Sequence, residues 1–333
     1  MTDDFTQLVD LASERLGGEV LAANDEFFAP KENLLRSGKA VYLEDKFTDR
    51  GKWMDGWETR RRRTPGHDWC LIRLGLPGIL HGVIVDTSFF RGNYPPHCSL
   101  EACAAAEDAD AEALLAPESQ WVEVLPKSDL QGDSENRFRI DYPERVTHLR
   151  FNIFPDGGVA RLRVFGEVVP DWERLAAQKE LDLAAIEHGG LVVAASDMFF
   201  GSRQNLILPG RARNMGEGWE TKRRRGPGHD WAVVKLGAAG TVHSAEVDTS
   251  HFKGNFPESC SLDACRIAGA ALADLSTADW QELLPRTKLE ADRCHTFEEE
   301  LKPLGPVTHV RLNIYPDGGV ARLRLIGKLV GAK

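Results

Sequence analysis

One long segment occurs twice in the chain, and this duplication constrains the fold more than any other feature. Segment 56–103 begins GWETRRRRTPGHDW, and segment 218–265 begins GWETKRRRGPGHDW. At a constant shift of 162 positions, 29 of these 48 residues are identical. A second block, VTHLRFNIFPDGGVARLR from Val146, returns as VTHVRLNIYPDGGVARLR from Val307. Two copies, each long enough for its own core, predict a duplicated domain and not a solenoid of short units.

The repeated blocks also predict the domain boundaries. We expect a first repeat over 1–170, a connecting helix over 171–188 and a second repeat over 189–333. The connecting segment, DWERLAAQKELDLAAIEH, has apolar residues at helical spacing and few turn formers. A shorter block recurs at a shift of 172, so the first repeat carries about ten extra residues between Ser37 and Asp55.

Within each repeat the sequence pattern is that of strands. Short β-type runs bounded by Gly, Pro or Asp occupy Trp69–Leu74, His81–Val85, Trp121–Leu125 and Leu149–Phe154. Asp-Gly pairs at 156–157 and 317–318 predict hairpin turns. Strands separated by turns, without alternating helices, predict an all-β fold: a tandem duplication of a jelly-roll β-sandwich. The sequence leaves room for a few short helices, at Leu8–Leu16, Leu100–Leu115 and Asp263–Leu275.

Composition limits the partners of such a protein. Against 41 Lys and Arg stand 51 Asp and Glu, so general attraction to nucleic acid or to an anionic membrane is not expected. No apolar run approaches the ~20 residues that span a bilayer, and the N-terminus lacks the pattern of a secretory signal. Six sparse cysteines argue against a disulfide framework. We therefore expect a soluble cytoplasmic protein.

The first candidate site is Glu58 with the arginine run Arg60–Arg63, repeated as Glu220 with Lys222 and Arg223–Arg225. Four successive cations in an acidic protein favour a local anion site, because the planar guanidinium donates two parallel hydrogen bonds to a carboxylate or phosphate. The alternative is a solvated edge strand whose alternate arginines pair with neighbouring acids.

The second candidate is the His67-Asp68 pair, repeated as His229-Asp230. A histidine beside a carboxylate suits acid–base chemistry at neutral pH, although adjacent residues on an extended chain point to opposite faces. The alternative is a capped turn before a core strand.

The third candidate is Asp86, at a predicted strand end, with Asn93 in the following loop; the counterparts are Asp248 and Asn255. The alternative for the aspartate is an Asx turn. Arg161 and Arg322 follow the Asp-Gly turns and are candidates for additional ligand contacts.

Other repeated polar residues favour structural interpretations. The alternation of the third run places His81 and His243 on the core face. His148 and His309 are interpreted as interior histidines too. Cys98 and Cys103, with their counterparts, are spaced for opposite faces of a strand, which is structural and not a metal site.

The motifs GWETRRRRxPGHDW, VDTxxFxGNxP and NIxPDGGVARLR together resemble the allantoicase (allantoate amidinohydrolase) family over nearly the whole chain. The resemblance implies two jelly rolls of the galactose-binding-like type and a homo-oligomer. It also implies a small-molecule substrate, allantoate, hydrolysed to ureidoglycolate and urea in purine degradation. Ligand spacing gives no metal site, and we expect no cofactor.

Cleavage at the central carbon of allantoate needs a proton donor and acceptor within hydrogen-bond reach. The candidate catalytic residues are Glu58, His67, Asp68, Asp86, Glu220, His229, Asp230 and Asp248. The candidate substrate-binding residues are Arg61, Arg62, Arg63, Asn93, Arg161, Arg223, Arg224, Arg225, Asn255 and Arg322. Because the second copy retains these residue types, the sequence leaves open which repeat works.

Two other functions compete with this hypothesis. A jelly roll of this type can be a non-catalytic binding module for carbohydrate or another small ligand, since fold alone does not fix function. A metal-dependent ureidohydrolase acting on a related ureido acid is the other alternative.

Overall fold

The computed structural model describes residues 4–267 and 272–330. Contacts divide the chain into two compact units at the Val169–Pro170 bond. The strands of the first unit are β1 Val9–Asp10, β2 Glu19–Ala23, β3 Phe47–Thr48, β4 Gly51–Lys52, β5 Trp57–Glu58, β6 Asp68–Asp86, β7 His97–Cys103, β8 Val122–Asp129, β9 Glu135–Phe154, β10 Gly158–Val159 and β11 Arg161–Val168. Its helices are α1 Ala111–Leu115 and the 3-10 turns Phe5–Gln7, Glu14–Leu16 and Lys31–Leu35.

The second unit repeats this order. Its strands are β12 Leu181–Asp182, β13 Leu191–Ala195, β14 Trp219–Glu220, β15 Asp230–Asp248, β16 Ser259–Cys265, β17 Gln281–Lys288, β18 Cys294–Phe297, β19 Val307–Tyr315, β20 Gly319–Val320 and β21 Arg322–Leu329. Its helices are α2 Trp172–Ala176 and the 3-10 turns Ile186–His188, Arg203–Ile207, Met215–Glu217 and Leu272–Ser276. The prediction of duplicated, nearly all-β jelly rolls with a few short helices is confirmed.

Each unit is built on one long central strand. In the first unit the sheet order is β1-β11-β6-β9-β7-β8, with β2 also paired to β6; the order β12-β21-β15-β19-β16-β17 repeats it, with β13 and β18 on β15. Two predicted runs, Trp69–Leu74 and His81–Val85, are therefore parts of the single strand β6. The strand continues through Gly75-Leu76-Pro77-Gly78, which looks like a turn in sequence, because register shifts between Arg73 and Gly82 absorb the irregularity.

The predicted Asp-Gly hairpins are wrong. The strands flanking the first Asp-Gly pair, β9 and β11, each pair with β6 and lie on opposite sides of it. The intervening β10 pairs with β5. The Asp-Gly segment thus crosses the end of the central strand, and its local turn chemistry does not report which strands become neighbours.

The helical segments are shorter than the sequence predicts. Of the expected connecting helix 171–188, only Trp172–Ala176 is α-helical, and β12 then pairs with β21. That pairing removes the apolar Leu181 from a helical register and buries it in the sheet. The other three predicted helices shrink to α1 and to 3-10 turns, and residues 268–271 of the one over Asp263–Leu275 lie outside the described residues.

The inward placement of His81 and His243 is wrong. Phe165 pairs with Gly82 and Gly166 with Leu80, so His81 is the extra residue of a β-bulge; Val242 and Ser244 bracket His243 in the same way. A bulge interrupts the alternation on which the prediction depended. The side chains are 31% and 43% exposed and face Glu167 and Glu180, respectively.

The interior placement of His148 and His309 is confirmed. Both are buried. The ring Nδ1 lies 2.9 Å from the hydroxyl of the preceding threonine in His148 and 3.0 Å from it in His309. Burial, together with the positive charge of Lys235, lowers the pKa of His309 to about 4. Burial likewise lowers the pKa of His148. These histidines are neutral members of the fold.

We expect the neutral His309 to make stability depend on pH. In the unfolded chain the His309 ring takes up a proton below its ordinary pKa of 6.5, whereas in the folded protein it stays neutral until about pH 4. The free energy of unfolding therefore falls as pH decreases from 6.5 toward about 4. Thermal unfolding at intervals across this window should show a weaker pH dependence for His309→Gln than for the unmodified protein. Parallel curves for the two proteins would contradict this assignment.

Candidate functional site

Glu58 occupies a constrained position between two buried residues, Trp57 and Thr59. The Trp57 indole donates to the Asp25 carbonyl at 2.8 Å, and Glu58 pairs with Gly158 of β10. The Glu58 carboxylate is half-buried, and its Oε1 accepts a hydrogen bond from Asn93 Nδ2 at 2.6 Å. Burial raises the pKa of Glu58, and the bond from Asn93 opposes that shift. The two predicted site residues Glu58 and Asn93 are therefore brought together.

A glycine contact positions the Asn93 loop beside Glu58. A Cβ on Gly158 would lie 2.0 Å from the Phe90 ring, so only glycine lets the ring of this loop pack against β10. The Gly158 amide also donates to the Asn93 carbonyl at 2.8 Å. The second repeat has the same packing at Gly319 and Phe252.

Asp86 shapes the start of this loop. Its Oδ1 accepts from the Ser88 amide at 2.8 Å, which is an Asx turn, and Asp248 makes the same bond to Ser250. We therefore assign Asp86 and Asp248 to loop geometry.

A cavity of about 340 Å³ lies against the Glu58–Asn93 pair. Its apolar walls include Phe28, Met54 and Phe89. Its polar lining combines Glu58 and Asn93 with Arg91 and with Tyr42, Arg50 and Lys52, the last three from the extra residues of the first repeat. The insertion is visible in the sequence as a difference in length between the repeats, but its residues belong to no repeated motif.

The arginine run does not line this cavity. Arg60 pairs with Asp25 at 2.6 Å, and Arg62 pairs with the buried Asp68 at 2.7 Å. In the second repeat Lys222 faces Asp197, and Arg224 pairs with the buried Asp230. Alternate cations are thus structural, as the edge-strand alternative anticipates. The described residues give no ion-pair partner to the remaining, exposed members of the run, Arg61, Arg63, Arg223 and Arg225.

Asp68 and His67 point to different surroundings. Asp68 is 1% exposed and also accepts from Asn24 Nδ2 at 3.0 Å, so it anchors the loop. The His67 ring packs on Phe154 with centroids 4.6 Å apart. Within residues 4–267 and 272–330, no hydrogen bond or ion pair joins His67 to a candidate carboxylate. The second-repeat ring of His229 lies 3.2 Å from Asn313 Oδ1 instead.

Arg161 and Arg322 lie inside the fold. Arg161 is 2% exposed and pairs with the buried Asp55 at 2.7 Å; Arg322 is 4% exposed and donates to main-chain carbonyls that include Gly210 at 3.0 Å. We therefore assign both to packing and not to substrate contact.

The second repeat has the same glutamate–asparagine pair, Glu220 and Asn255, but different side chains surround it. Asn255 Nδ2 donates to Glu220 Oε1 at 2.5 Å, and the Met215 sulfur lies 3.9 Å from the same amide. Phe200, the counterpart of Phe28, is 62% exposed, and the segment that corresponds to the insertion is ten residues shorter.

Neither a metal centre nor a membrane-spanning helix is found in the part of the chain that the structure describes. No group of three or more His, Cys, Asp and Glu side chains there is arranged to hold a metal ion. No described helix is long and apolar enough to cross a bilayer. The six cysteines are free, and burial raises the pKa of Cys98 and of Cys260 to about 12.

Comparisons with known proteins give the family. The family model described as "Allantoicase repeat" matches residues 9–169 and 181–330. A "Probable allantoicase" of Pseudomonas aeruginosa strain UCBPP-PA14 is 53% identical over 97% of this chain and 96% of that protein. "Probable allantoicase 2" of Burkholderia pseudomallei is 51% identical over 96% and 95%. The crystal structure of allantoicase from Saccharomyces cerevisiae matches with a TM-score of 0.81 at 37% identity, covering 96% of this chain and 92% of that one. The chain therefore belongs to the allantoicase family.

Proposed function

We propose that this protein hydrolyses allantoate to ureidoglycolate and urea at the Glu58–Asn93 cavity of the first repeat. The main support is that the half-buried Glu58 carboxylate faces a cavity of about 340 Å³ that cationic side chains also line. Allantoate is a monoanion whose central carbon bears a carboxylate and two ureido groups, so it needs both a cationic contact and a proton-transfer group. The family assignment supports this substrate.

A single carboxylate can perform both proton transfers. Ionised Glu58 takes the N–H proton of the ureido group that stays in the product. The freed electron pair forms a C=N bond to the central carbon, and the C–N bond from that carbon to the departing ureido group breaks. Glu58 returns the proton to the departing nitrogen as urea leaves. Water then adds to the C=N carbon, and Glu58 carries its proton to the imine nitrogen to give ureidoglycolate. Asn93 holds one carboxylate oxygen, so the other is directed to the substrate.

Urea release from allantoate by the purified protein, with and without prior chelation, tests the proposal. Release that survives chelation is expected. Release abolished by the chelator would favour the metal-dependent ureidohydrolase, and absence of release under both conditions would favour the non-catalytic binding module.

We expect kcat/KM to fall on the acid side through the raised pKa of Glu58. The working form is ionised, so activity is present above that pKa and lost as pH decreases through it. Because the Asn93 bond opposes the shift, Asn93→Ala should move this acid limb to higher pH, whereas Asn255→Ala should leave it in place. Profiles that coincide for both variants would contradict the assignment of Glu58.

We further propose a cytoplasmic homo-oligomer. Exposed aromatic side chains such as Phe47, Phe199 and Phe200, each more than 60% exposed, support association between copies. Sedimentation velocity of the full chain distinguishes an oligomer from a monomer.

A further inference from the structure

The insertion, residues 37–55, is the main asymmetry between the repeats. Twenty residues separate Leu35 from Gly56, and ten separate Ile207 from Gly218. The extra length forms the β3–β4 hairpin. The Val41 amide donates to Asp55 Oδ2 at 3.0 Å, and Asp55 pairs with the buried Arg161, so the insertion is fixed at its base.

The hairpin carries two cations, Arg50 and Lys52, into the lining of the Glu58 cavity. Arg50 Nη1 donates to the Phe27 carbonyl at 2.6 Å, and Lys52 Nζ donates to the Leu43 carbonyl at 2.7 Å. Each cation also lies over an aromatic ring: Arg50 is 4.7 Å from the centroid of Phe27, and Lys52 is 4.7 Å from that of Tyr42. These contacts orient both charges without neutralising them, because carbonyls and rings carry no net charge.

The third cation that lines the cavity, Arg91, is already paired with an acid: its Nε lies 3.0 Å from Asp133. Among the described residues, no carboxylate pairs with Arg50 or Lys52. The hairpin therefore presents two positive charges, Arg50 and Lys52, that are free to bind an incoming carboxylate.

No hairpin in the described second repeat corresponds to β3–β4; the shorter segment there carries Arg213, which pairs with Glu217 at 2.6 Å, and the exposed Arg211. The second repeat's counterpart of Arg91, Lys253, faces Asp292 at 3.7 Å, and the side chains around Glu220–Asn255 include the exposed Phe200 and the thioether of Met215. The Glu220–Asn255 pair therefore has no hairpin beside it that supplies an unpaired cation.

We propose that Arg50 and Lys52 bind the carboxylate of the substrate, and that the insertion thereby confines turnover to the first repeat. The assignment rests on the proposed function, in which Glu58 moves the protons. Arg50 supplies a planar pair of donors and Lys52 a point charge, and a carboxylate accepts from both. Fixing the carboxylate at the hairpin turns a ureido group of the same small molecule toward Glu58, and it selects ureido acids over neutral ureides.

The double substitution Arg50→Gln/Lys52→Gln tests the proposal in the full-length protein. We expect KM for allantoate to rise about 100-fold, about tenfold for each lost charge-assisted contact, with kcat within about threefold. Lys46→Gln removes a cation of the same insertion that lies over Trp53 and outside the cavity, and it should leave KM unchanged.

The charge of the ligand gives a second readout that a structural role would not change. Diureidoacetamide, which is allantoate with its carboxylate converted to an amide, should compete weakly with allantoate in the unmodified protein. The unmodified protein should prefer the carboxylate, and the double variant should lose that preference. A double variant that retains both its KM and this preference would overturn the carboxylate assignment. If the unmodified protein releases no urea, the proposed function fails, and binding of the two probes by calorimetry still tests the two cations.

Discussion

Replacing Glu58 by Gln is expected to lower kcat for urea release by about 10³-fold, within the range of a lost general acid–base group. Glutamine keeps the shape of the side chain and can still face Asn93, but it cannot take a proton from a ureido nitrogen or from water. KM should change little, since the substrate carboxylate is bound elsewhere in the cavity. The measurement is steady-state urea release under saturating allantoate.

The matched variant is Glu220→Gln in the second repeat. That carboxylate has the same amide partner, yet no insertion covers it, so we expect kcat to stay close to that of the unmodified protein. Equal losses in the two variants would mean that both repeats turn over, or that one site draws on both. A large loss in Glu220→Gln alone would reverse the assignment of the repeats.

Thermal unfolding separates a catalytic loss from a misfolded variant. Burial raises the pKa of Glu58, so its ionised form is less favourable in the folded protein than in the unfolded chain. Glutamine removes that cost at neutral pH. We therefore expect Glu58→Gln to unfold at the same temperature as the unmodified protein or at a higher one.

The sequence predicted the fold class because duplication and strand patterning are visible in the residues themselves. It did not predict strand pairing, as the Asp-Gly segments demonstrate: a turn motif describes four residues, and β6, which separates β9 from β11, lies about 70 residues earlier in the chain. His81 failed for a related reason. One bulged residue reverses the inward and outward positions, and nothing local in sequence marks it.

The candidate site was predictable in part for similar reasons. Glu58 and Asn93 stand in repeated motifs, so comparing the two halves of the chain singled them out. The same comparison overvalued Asp68 and Asp86, because residues that anchor a loop are repeated as faithfully as residues that meet a ligand. It passed over Arg50 and Lys52, which occur once. The feature of the sequence that points to them is the insertion itself, because it occurs only in the first repeat.

Breaking the buried pair Asp55–Arg161 should strongly destabilise the first repeat. Arg161→Leu leaves Asp55, which is 6% exposed, with only the half-exposed Arg36 at 3.5 Å, and breaking a buried pair in this way costs about 3–5 kcal/mol of unfolding free energy. Chemical denaturation followed by tryptophan fluorescence measures the loss. Arg63→Leu, at an exposed position of the same repeat, should cost less than about 0.5 kcal/mol. Similar losses in the two variants would contradict the assignment.

The same pair links stability to substrate binding, and a second variant separates the two effects. Arg161 Nε donates to the Gly38 carbonyl at 3.0 Å and Asp55 accepts from the Val41 amide, so the pair holds the base of the insertion. Asp55→Leu/Arg161→Met removes both charges and should be more stable than Arg161→Leu, because no unpaired charge remains buried. It should still show a raised KM for allantoate, since the base of the Arg50–Lys52 hairpin is no longer fixed. A double variant that regains stability and the original KM together would show that the hairpin holds its position without this anchor.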